Sequence, residues 1–259
     1  MTTSTRLGAG EWRLECGRTL LSVRRSTVAD GDFHIDSDRP ALLERRQQFF
    51  PGVWTQLDEV HGVDVKRVTE PGEFDFAVGD ALVTDIADAV LSVWVGDCAA
   101  IAVVGDSGQF SLVHAGWRGA LGGVVERSIE ALRSMGADRC TAYLLSAIGS
   151  CCYEFGREEL ALMVDRFGTA VTASTTWGVP SLSMPAVVAA ASTAGGSGFV
   201  DLSHCTHCSR SGNEPVWFSH RRGDRGRHVV AASFLYLGPI ALYLGALAAH
   251  ASDVLIERI

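Results

Sequence analysis

Three side chains of borderline-soft donor type stand where strand-like segments meet turns. They are His61 in EVHGVDV, Cys98 in VGDCAAIAV and His114 in FSLVHAGWRG. Strand ends are where rigid scaffolds present functional groups. Two imidazoles and a thiolate suit zinc, and three protein ligands leave a fourth position for water or substrate. The three residues therefore indicate a catalytic metal site.

Spacing alone leaves a plainer alternative open for each of these residues. A cysteine inside an apolar run is often a small buried residue. A histidine at a strand end is often a hydrogen-bonded core or surface group. The metal hypothesis requires that the three segments, which are distant in sequence, converge in the fold.

Four glycines follow His114 in the stretch FSLVHAGWRGALGG. Small residues let a backbone approach a ligand closely, and a helix start at 119–123 would offer free N–H groups to an anion. Arg118 adds a planar charged group suited to phosphate. The same residues are also typical of a tight strand-to-helix turn with Trp117 in the core and Arg118 in solvent. Both interpretations stay open.

Two cysteine-rich segments offer further chemistry. AIGSCCYEFG contains vicinal Cys151 and Cys152, whose side chains point in different directions, so that Cys151 could face a site as a nucleophile or binding group. HCTHC, residues 204–208, resembles a metal motif because Cys205 and Cys208 have C-x-x-C spacing, although the spacing typical of zinc fingers is absent.

An arginine-rich segment, FSHRRGDRGR, follows near the end of the chain. Arg221 and Arg222 within it could bind an anion on a loop, or the segment could be a solvated turn between strands.

Composition narrows the class of protein. The 259 residues include 22 Lys and Arg against 30 Asp and Glu, a formal net charge of -8, so no basic stripe suits nucleic acid. The N-terminal segment lacks the apolar core of a secretory signal, which leads us to expect a cytoplasmic protein. Seven cysteines then indicate free thiols or metal ligands.

The last part of the chain is strongly apolar. HVVAASFLYLGPIALYLGALAAHAS carries no charged residue over a length that could span a bilayer. Gly238, Pro239 and Gly245 interrupt this run and no basic cluster follows it. A buried strand over 229–237 followed by an apolar helix is therefore favoured over a membrane anchor.

The remaining pattern predicts one α+β domain, 1–259, with mixed sheets and an apolar C-terminal extension over 238–259. Asp38 as a cap and Pro40 in the first turn predict a helix near 39–50, with Arg45 and Arg46 facing solvent. An Ala-rich helix is predicted near 185–194. Two units of strand, glycine turn and helix stand in series, and other apolar runs predict strands. These runs are VDVKRV, ALVTD, AVLSVWV, AAIAVVG, FVDL and PVWFSH.

Taken together, the motifs resemble a known family. EVHG, GDALVTD, VGDC, VHAGWRG, AIGSCCYEFG and FSHRRGDRGR occur, over about residues 20 to 237, in the order seen in the multicopper-polyphenol-oxidase-like family. It is also called the laccase-domain or YfiH family, and its members are described as purine nucleoside phosphorylases with adenosine deaminase activity.

The resemblance implies a fold, a cofactor and substrates. It implies an α/β sandwich and a single zinc held by His61, Cys98 and His114. The implied reactions are phosphorolysis of adenosine, inosine, guanosine or methylthioadenosine to base and ribose 1-phosphate, and deamination of adenosine to inosine. Zinc explains deamination because it supplies hydroxide near neutral pH. Phosphorolysis needs an anion pocket, for which the candidates are the 119–123 helix start and four arginines, Arg46, Arg118, Arg221 and Arg222.

The chain departs from the family pattern at three positions. Glu59 stands where the family usually has Gln, Gly96 where it has Ala, and Ser150 where it has Pro. A carboxylate at 59 could repel phosphate or neutralise an arginine.

Two other functions stay open. Copper-dependent phenol oxidation gives the family its older name, but the dense His-x-His pairs expected for several coppers are absent from the sequence. A degenerate metal-binding or partner-binding domain without turnover is the other alternative. The sequence also leaves open whether the chain forms a homo-oligomer.

Overall fold

The computed structural model describes residues 4–8 and 10–235, which form five α-helices and sixteen strands. The helices are α1 (Arg39–Phe49), α2 (Trp117–Gly122), α3 (Val124–Ser134), α4 (Arg157–Phe167) and α5 (Met184–Ala194). The strands are β1 (Ser4–Gly8), β2 (Glu11–Cys16), β3 (Thr19–Arg25), β4 (Val53–Gln56), β5 (Val65–Arg67), β6 (Ala81–Thr84), β7 (Ala89–Val95), β8 (Ala99–Gly105), β9 (Phe110–Ala115), β10 (Cys140–Ser146), β11 (Thr172–Ser174), β12 (Pro180–Leu182), β13 (Gly198–Asp201), β14 (Arg210–Ser211), β15 (Glu214–Pro215) and β16 (His228–Phe234).

Two six-stranded sheets dominate the architecture. The first has the order β1-β2-β3-β16-β7-β4 and the second the order β13-β10-β8-β9-β6-β5. Both are mixed, because β4 runs parallel to β7, β5 to β6 and β13 to β10 while the other neighbours are antiparallel. The predicted α+β sandwich of mixed sheets is confirmed.

The strand β8 shows why its sequence is apolar at every position. Ala100 and Ala102 pack into a core that also holds residues of β2, β3 and β7, so this face meets the first sheet. Ile101 and Val103 point the other way, into a core shared with α3, α4 and α5. Because successive strand residues point to opposite faces, a strand covered on both sides loses its polar alternation.

The helix α1 covers the outer face of the first sheet. Leu42 packs there with Trp54 of β4 and Val229 of β16. The predicted helix near 39–50 is confirmed, and the Asp38 carboxylate accepts a hydrogen bond from the Ala41 amide as its cap. The predicted helix near 185–194 is also confirmed as α5.

Arg46 does not face solvent as the helix pattern predicted. Its side chain is 1% exposed, forms an ion pair with Asp75 at 3.0 Å and donates to Gln56 Oε1 at 3.1 Å. Its guanidinium also lies over the Phe76 ring, 4.6 Å from the centroid. The prediction failed because a half-buried carboxylate partner, Asp75, lies 29 residues away and is invisible to local periodicity.

The predicted strand PVWFSH is wrong beyond its first residue, since β15 ends at Pro215. The polar groups of the following residues form hydrogen bonds outside any sheet. Ser219 Oγ donates to Asp97 Oδ2 at 3.0 Å, and the His220 amide donates to the Gly96 carbonyl at 3.1 Å. A segment whose hydrogen bonds go to such loop contacts has none left for a ladder.

The apolar C-terminal run is described only in part. The predicted strand over 229–237 is present as β16 as far as Phe234. The predicted extension over 238–259 lies outside the described residues. Within residues 4–8 and 10–235, no helix is both long and apolar enough to cross a membrane.

Candidate metal centre and its pocket

The structure brings His61, Cys98 and His114 together, with one ligand atom of each lying within 4.8 Å of the other two. The antiparallel pairing of β8 with β9 brings Cys98 and His114 together, because Ala100 pairs with His114 and Cys98 directly precedes β8. His61 comes from the loop between β4 and β5, and its Nε2 lies 3.6 Å from Cys98 Sγ. The three soft donors thus form one cluster.

Asp80, which directly precedes β6, holds both histidine segments in place. Its Oδ1 accepts from the His61 amide at 2.8 Å and lies 2.9 Å from His114 Nδ1. Its Oδ2 accepts from the Gly62 amide at 2.7 Å. A carboxylate on one imidazole nitrogen leaves the other nitrogen for a metal, which is the usual support of a ligating histidine. Asp80 lies within the motif GDALVTD, but no pattern in the sequence indicated its role.

The loop that carries His61 has an unusual backbone. His61 has φ of 60°, in the left-handed region that non-glycine residues rarely adopt. The hydrogen bond from its amide to Asp80 holds it there. Such conformations persist where the surroundings over-determine them, and they cluster at functional sites.

The surroundings of Cys98 favour its thiolate form. Burial alone would raise the pKa of its thiol, but His114 and His61 beside the sulfur lower that pKa to about 6. The thiolate is the form that ligates metals. Two imidazoles and a thiolate that ionises near neutral pH fit a borderline-soft ion such as zinc.

Gly116 is the first of the four glycines after His114, and it lies against the cluster. A Cβ at this position would clash with His61 Cδ2 and lie 3.3 Å from Cys98 Sγ. The other glycines serve packing. A Cβ on Gly119 would lie 2.9 Å from the Gly62 carbonyl oxygen, and one on Gly122 would lie 2.6 Å from Val63 Cγ1. The glycines let α2 approach the loop that carries His61.

Gly116→Ala is therefore expected to displace the His61 ring and to weaken metal binding by about 10-fold or more, as loss of ligand positioning does. Gly198→Ala is the matched control, because a Cβ there makes only ordinary contacts, with Thr141 Oγ1 at 3.5 Å the nearest. Metal affinity is measured by competition with a chromophoric chelator. Equal affinities for the two variants would contradict this role of Gly116.

A cavity of about 360 Å³ opens over the cluster, within the size range of small-molecule sites. Its wall combines three arginines with several rings. The arginines are Arg118, Arg221 and Arg227, and the rings are His34, Trp94, Trp117, Tyr153 and His220. Flat rings suit a planar base and guanidinium groups suit an anion.

The predicted anion-binding residues divide into two groups. Arg118 and Arg221 line the cavity, where they lie over the rings of Trp117 and Tyr153, 4.3 Å and 5.4 Å from the centroids. Arg222 does not line it, because its guanidinium is engaged by Asp224 and by the carbonyl oxygens of Trp217 and His207.

Arg46 and Cys151 are not brought to the cavity either. Arg46 is buried under the first sheet with Asp75. Cys151 belongs to a separate group of thiols. The helix start predicted at 119–123 also differs from the structure, because α2 already begins at Trp117 and is 6 residues long.

The departure at Glu59 places a carboxyl group in a buried position that favours its protonated form. Burial raises the pKa of Glu59 to about 8, against the opposing effects of His114 and the Trp94 amide. Its Oε1 accepts from that amide at 2.9 Å, and its Oε2 lies 3.5 Å from His114 Nδ1. Protonated, this side chain has the shape and hydrogen-bonding groups of the glutamine expected there.

The departure at Gly96 makes room for an arginine that the sequence did not single out. A Cβ on Gly96 would lie 2.8 Å from Cδ of Arg227. The Arg227 guanidinium reaches His220 Nδ1 at 3.4 Å and the carbonyl oxygens of the turn that precedes it. The missing methyl group at 96 thus lets Arg227 lie along the cavity wall.

Asp97 connects the segment that contains Arg221 to the His–Cys–His cluster. Its Oδ2 accepts from the Arg221 amide at 2.7 Å and from Ser219 Oγ at 3.0 Å, and its Oδ1 accepts from Thr206 Oγ1 at 2.5 Å. Since Asp97 directly precedes Cys98, the cavity wall that carries Arg221 and the His–Cys–His cluster share one backbone segment.

Comparison with known proteins identifies relatives of this chain. The sequence model of the family described as multi-copper polyphenol oxidoreductase laccase matches residues 25–235. The chain belongs to this family. Among curated proteins, the laccase-family chain is 35% identical over 144 residues to the purine nucleoside phosphorylase of Xylella fastidiosa strain Temecula1, covering 51% of this chain and 55% of that protein. It is 32% identical over 138 residues to purine nucleoside phosphorylase YlmD of Geobacillus stearothermophilus, covering 46% and 50%. It thus spans about half the length of the curated relatives it matches.

Solved structures of similar proteins share the laccase-family fold. The crystal structure of YlmD from Geobacillus stearothermophilus has a TM-score of 0.71 at 23% identity and covers 90% of this chain and 99% of that one. The Bacillus licheniformis protein YfiH has a TM-score of 0.71 at 19% identity and covers 88% and 98%. The His–Cys–His cluster is therefore a candidate metal site on a fold shared with these proteins.

Proposed function

We propose that this chain is a zinc-dependent purine nucleoside phosphorylase that also deaminates adenosine. The observation that carries the proposal is the juxtaposition, in one cavity, of the His61, Cys98 and His114 cluster with arginines and aromatic rings. The names of the curated relatives supply the substrate class, purine nucleosides and phosphate.

Zinc fits the donor set. His61, Cys98 and His114 would hold it, and Asp80 fixes His114 Nδ1 so that the other ring nitrogen serves as ligand. When bound, zinc supplies Lewis acidity and lowers the pKa of water near the substrate.

For phosphorolysis, the chain must bind phosphate and orient the nucleoside. A phosphate oxygen forms a bond to the ribose C1′ while the bond from C1′ to the base nitrogen breaks, and the base leaves with a proton. Arg118 and Arg221 offer planar guanidinium groups to the phosphate. Trp117 and Tyr153 offer rings against which base or ribose can pack.

For deamination, water adds to the purine carbon that carries the amino group, and ammonia leaves. The cavity needs a group that holds a proton near neutral pH. Glu59 is such a group, since burial raises its pKa to about 8, and it lies beside His114 on the cavity wall.

Copper-dependent phenol oxidation has less support. Within residues 4–8 and 10–235, the His, Cys and carboxylate groups that could hold a metal form two clusters, one of three ligands and one of four cysteines. Neither is rich in histidine, as a site with several coppers would be. The arginines on the cavity wall also have no evident use in oxidising a neutral phenol.

One assay tests the proposal. The purified protein is incubated with adenosine, with and without phosphate, and the products are separated by chromatography. We expect adenine and ribose 1-phosphate only when phosphate is present, and inosine in both samples. Stoichiometric zinc with no product from any purine nucleoside would instead favour a binding domain without turnover. Oxidation of a phenol after copper loading, with no nucleoside product, would favour the oxidase.

A further inference from the structure

A second cluster of metal-binding side chains lies apart from the three-ligand centre. The sulfur atoms of Cys151, Cys152, Cys205 and Cys208 all lie within 4.8 Å of one another. Two come from the turn after β10 and two from the turn after β13, so the pairs lie 53 positions apart in sequence, from 152 to 205. None of the four lines the cavity over His114.

One sulfur–sulfur distance across the cluster matches the spacing around a single ion and is too wide for a disulfide. Cys151 Sγ lies 3.8 Å from Cys208 Sγ, and a tetrahedron with metal–sulfur bonds of about 2.3 Å has sulfur–sulfur edges of about 3.8 Å. A disulfide requires about 2.05 Å.

The backbone around the cluster favours a thiolate. Burial alone would raise the pKa of Cys205, but the backbone amides of Cys208 and Gly149 donate to its sulfur and lower that pKa. The amide two or three residues after the first cysteine of a C-x-x-C turn is well placed for this, because the turn curls around the sulfur.

The cluster also places four thiols close to one another. Burial and the neighbouring Cys205 raise the pKa of Cys151, and burial and Cys151 raise that of Cys152. A divalent cation at their centre removes this penalty by binding the thiolates directly.

The packing at Gly149 leaves the two turns close together. A Cβ at this position would lie 3.0 Å from Cys151 Sγ, 3.0 Å from Cys205 Cβ and 3.3 Å from Cys205 Sγ. The two turns are further joined by a bridge between Ala147 and Cys205, with the Thr206 amide donating to the Ala147 carbonyl at 3.2 Å. Backbone pairing between the two turns thus brings the four cysteines together.

We propose that Cys151, Cys152, Cys205 and Cys208 bind a second zinc ion, in a closed four-thiolate site. Four protein ligands leave no position for water or substrate, so this zinc is structural, whereas the three-ligand centre keeps an open position. The site goes beyond the proposed function, which needs only the centre at His61, Cys98 and His114.

The second zinc would stabilise the wall of the cavity that opens over His114. Thr206, between Cys205 and Cys208, is fully buried and donates to Asp97 Oδ1 at 2.5 Å. Tyr153, directly after Cys152, lines the cavity. Cross-linking the two turns through a metal therefore fixes the residues that position Asp97 and Tyr153.

Metal content tests the site independently of activity. Each protein is purified without chelator, and zinc is counted by mass spectrometry of the element. We expect about two zinc ions per chain in the wild type, about one in a variant with both Cys205→Ser and Cys208→Ser, about one in Cys98→Ala and none when all three substitutions are combined. Two cysteines of the cluster are replaced together, because a single replacement would leave three thiolates, which are enough to hold zinc. Neither Cys205 nor Cys208 is fully buried, so their replacement leaves the core intact. Cys140→Ser is the matched control outside both clusters and keeps about two zinc ions.

X-ray absorption at the zinc edge gives a second readout that a folding defect does not imitate. Zinc remaining in Cys98→Ala should be surrounded by sulfur alone, and zinc remaining in the variant with Cys205→Ser and Cys208→Ser by nitrogen and sulfur. Equal zinc content in the wild type and in that variant, or a wild type whose zinc is lost entirely in Cys98→Ala, overturns the proposal. Iron at the cluster, or a mass that shows a disulfide between these cysteines in the purified protein, also overturns it. Because zinc is counted directly, a protein without turnover can still carry the second site.

Discussion

Cys98→Ala is expected to lose the metal of the His–Cys–His centre and, with it, both phosphorolysis and deamination. The substitution removes the only thiolate of this centre and leaves two imidazoles, which are too few for a zinc site with three protein ligands. His61 and His114 lower the pKa of Cys98 to about 6, so alanine also removes a negative charge present at neutral pH. Zinc content should fall by about one ion per chain, and the products of the adenosine assay should fall below detection.

The matched control is Cys140→Ala. Cys140 is a buried thiol at the start of β10, outside both metal-binding clusters, so its replacement tests the loss of a core sulfur without the loss of a ligand. It should keep both zinc and activity. Full turnover by a Cys98→Ala protein whose centre is free of metal would show that the reaction does not depend on this centre.

Two of the three candidate ligands could be placed from the sequence because they lie next to unambiguous strands. AAIAVVG and FSLVH are apolar at nearly every position, which identifies them as buried strands, and Cys98 and His114 sit at adjoining ends once these strands pair. His61 has no such support, and only the structure brings its loop to the cluster.

The arginines that line the cavity were harder to predict than the candidate metal ligands. Arginines were easy to find, but their partners decide where they point. Arg46 pairs with Asp75, 29 residues away, and Arg222 with Asp224 and backbone carbonyls, whereas Arg118 and Arg221 remain on the cavity wall. Charge and glycine content alone do not distinguish an arginine that is held by the fold from one that is offered to a ligand.

The same limit applies to the thiol cluster. The sequence shows two pairs, one vicinal and one of C-x-x-C spacing, and neither alone has the ligand number of a structural zinc site. The bridge between Ala147 and Cys205 brings them together, and this bridge joins segments far apart in the chain. A long-range pairing of this kind leaves no local pattern.

The role of Asp80 depends on strand register and was therefore missed. Asp80 lies opposite the end of β9, because the pairing of Ala81 with Val113 places it beside His114. The His114 amide donates to its carbonyl oxygen at 2.8 Å, and its side chain is fully buried. Burial alone would raise the pKa of Asp80, but hydrogen bonds from His114 and from two amides hold it below its usual value. Asp80 is thus an ionised carboxylate whose acceptors are matched by three donors.

Asp80→Asn should therefore weaken zinc binding at the three-ligand centre by about 10- to 100-fold. Asparagine has the same shape, yet one of its two terminal groups is a donor. If that donor lies at the Oδ2 position it faces the Gly62 amide, and at the Oδ1 position it faces the His61 amide and His114 Nδ1. Either orientation sets donor against donor, so the His61 loop or the His114 ring must move.

Zinc affinity is best measured by chelator competition in a background that carries Cys205→Ser and Cys208→Ser, so that only the three-ligand centre contributes. Asp64→Asn is the matched control. Asp64 is an exposed residue of the loop that carries His61, and its side chain forms an ion pair with Lys66 at 2.6 Å. It should leave the affinity unchanged, because a surface ion pair contributes little. If Asp80→Asn binds zinc as tightly as Asp64→Asn, Asp80 does not position the ligands. A weakened centre with an unchanged unfolding temperature of the metal-free protein would instead separate ligand positioning from a general loss of stability, because that temperature reports the fold without the ion.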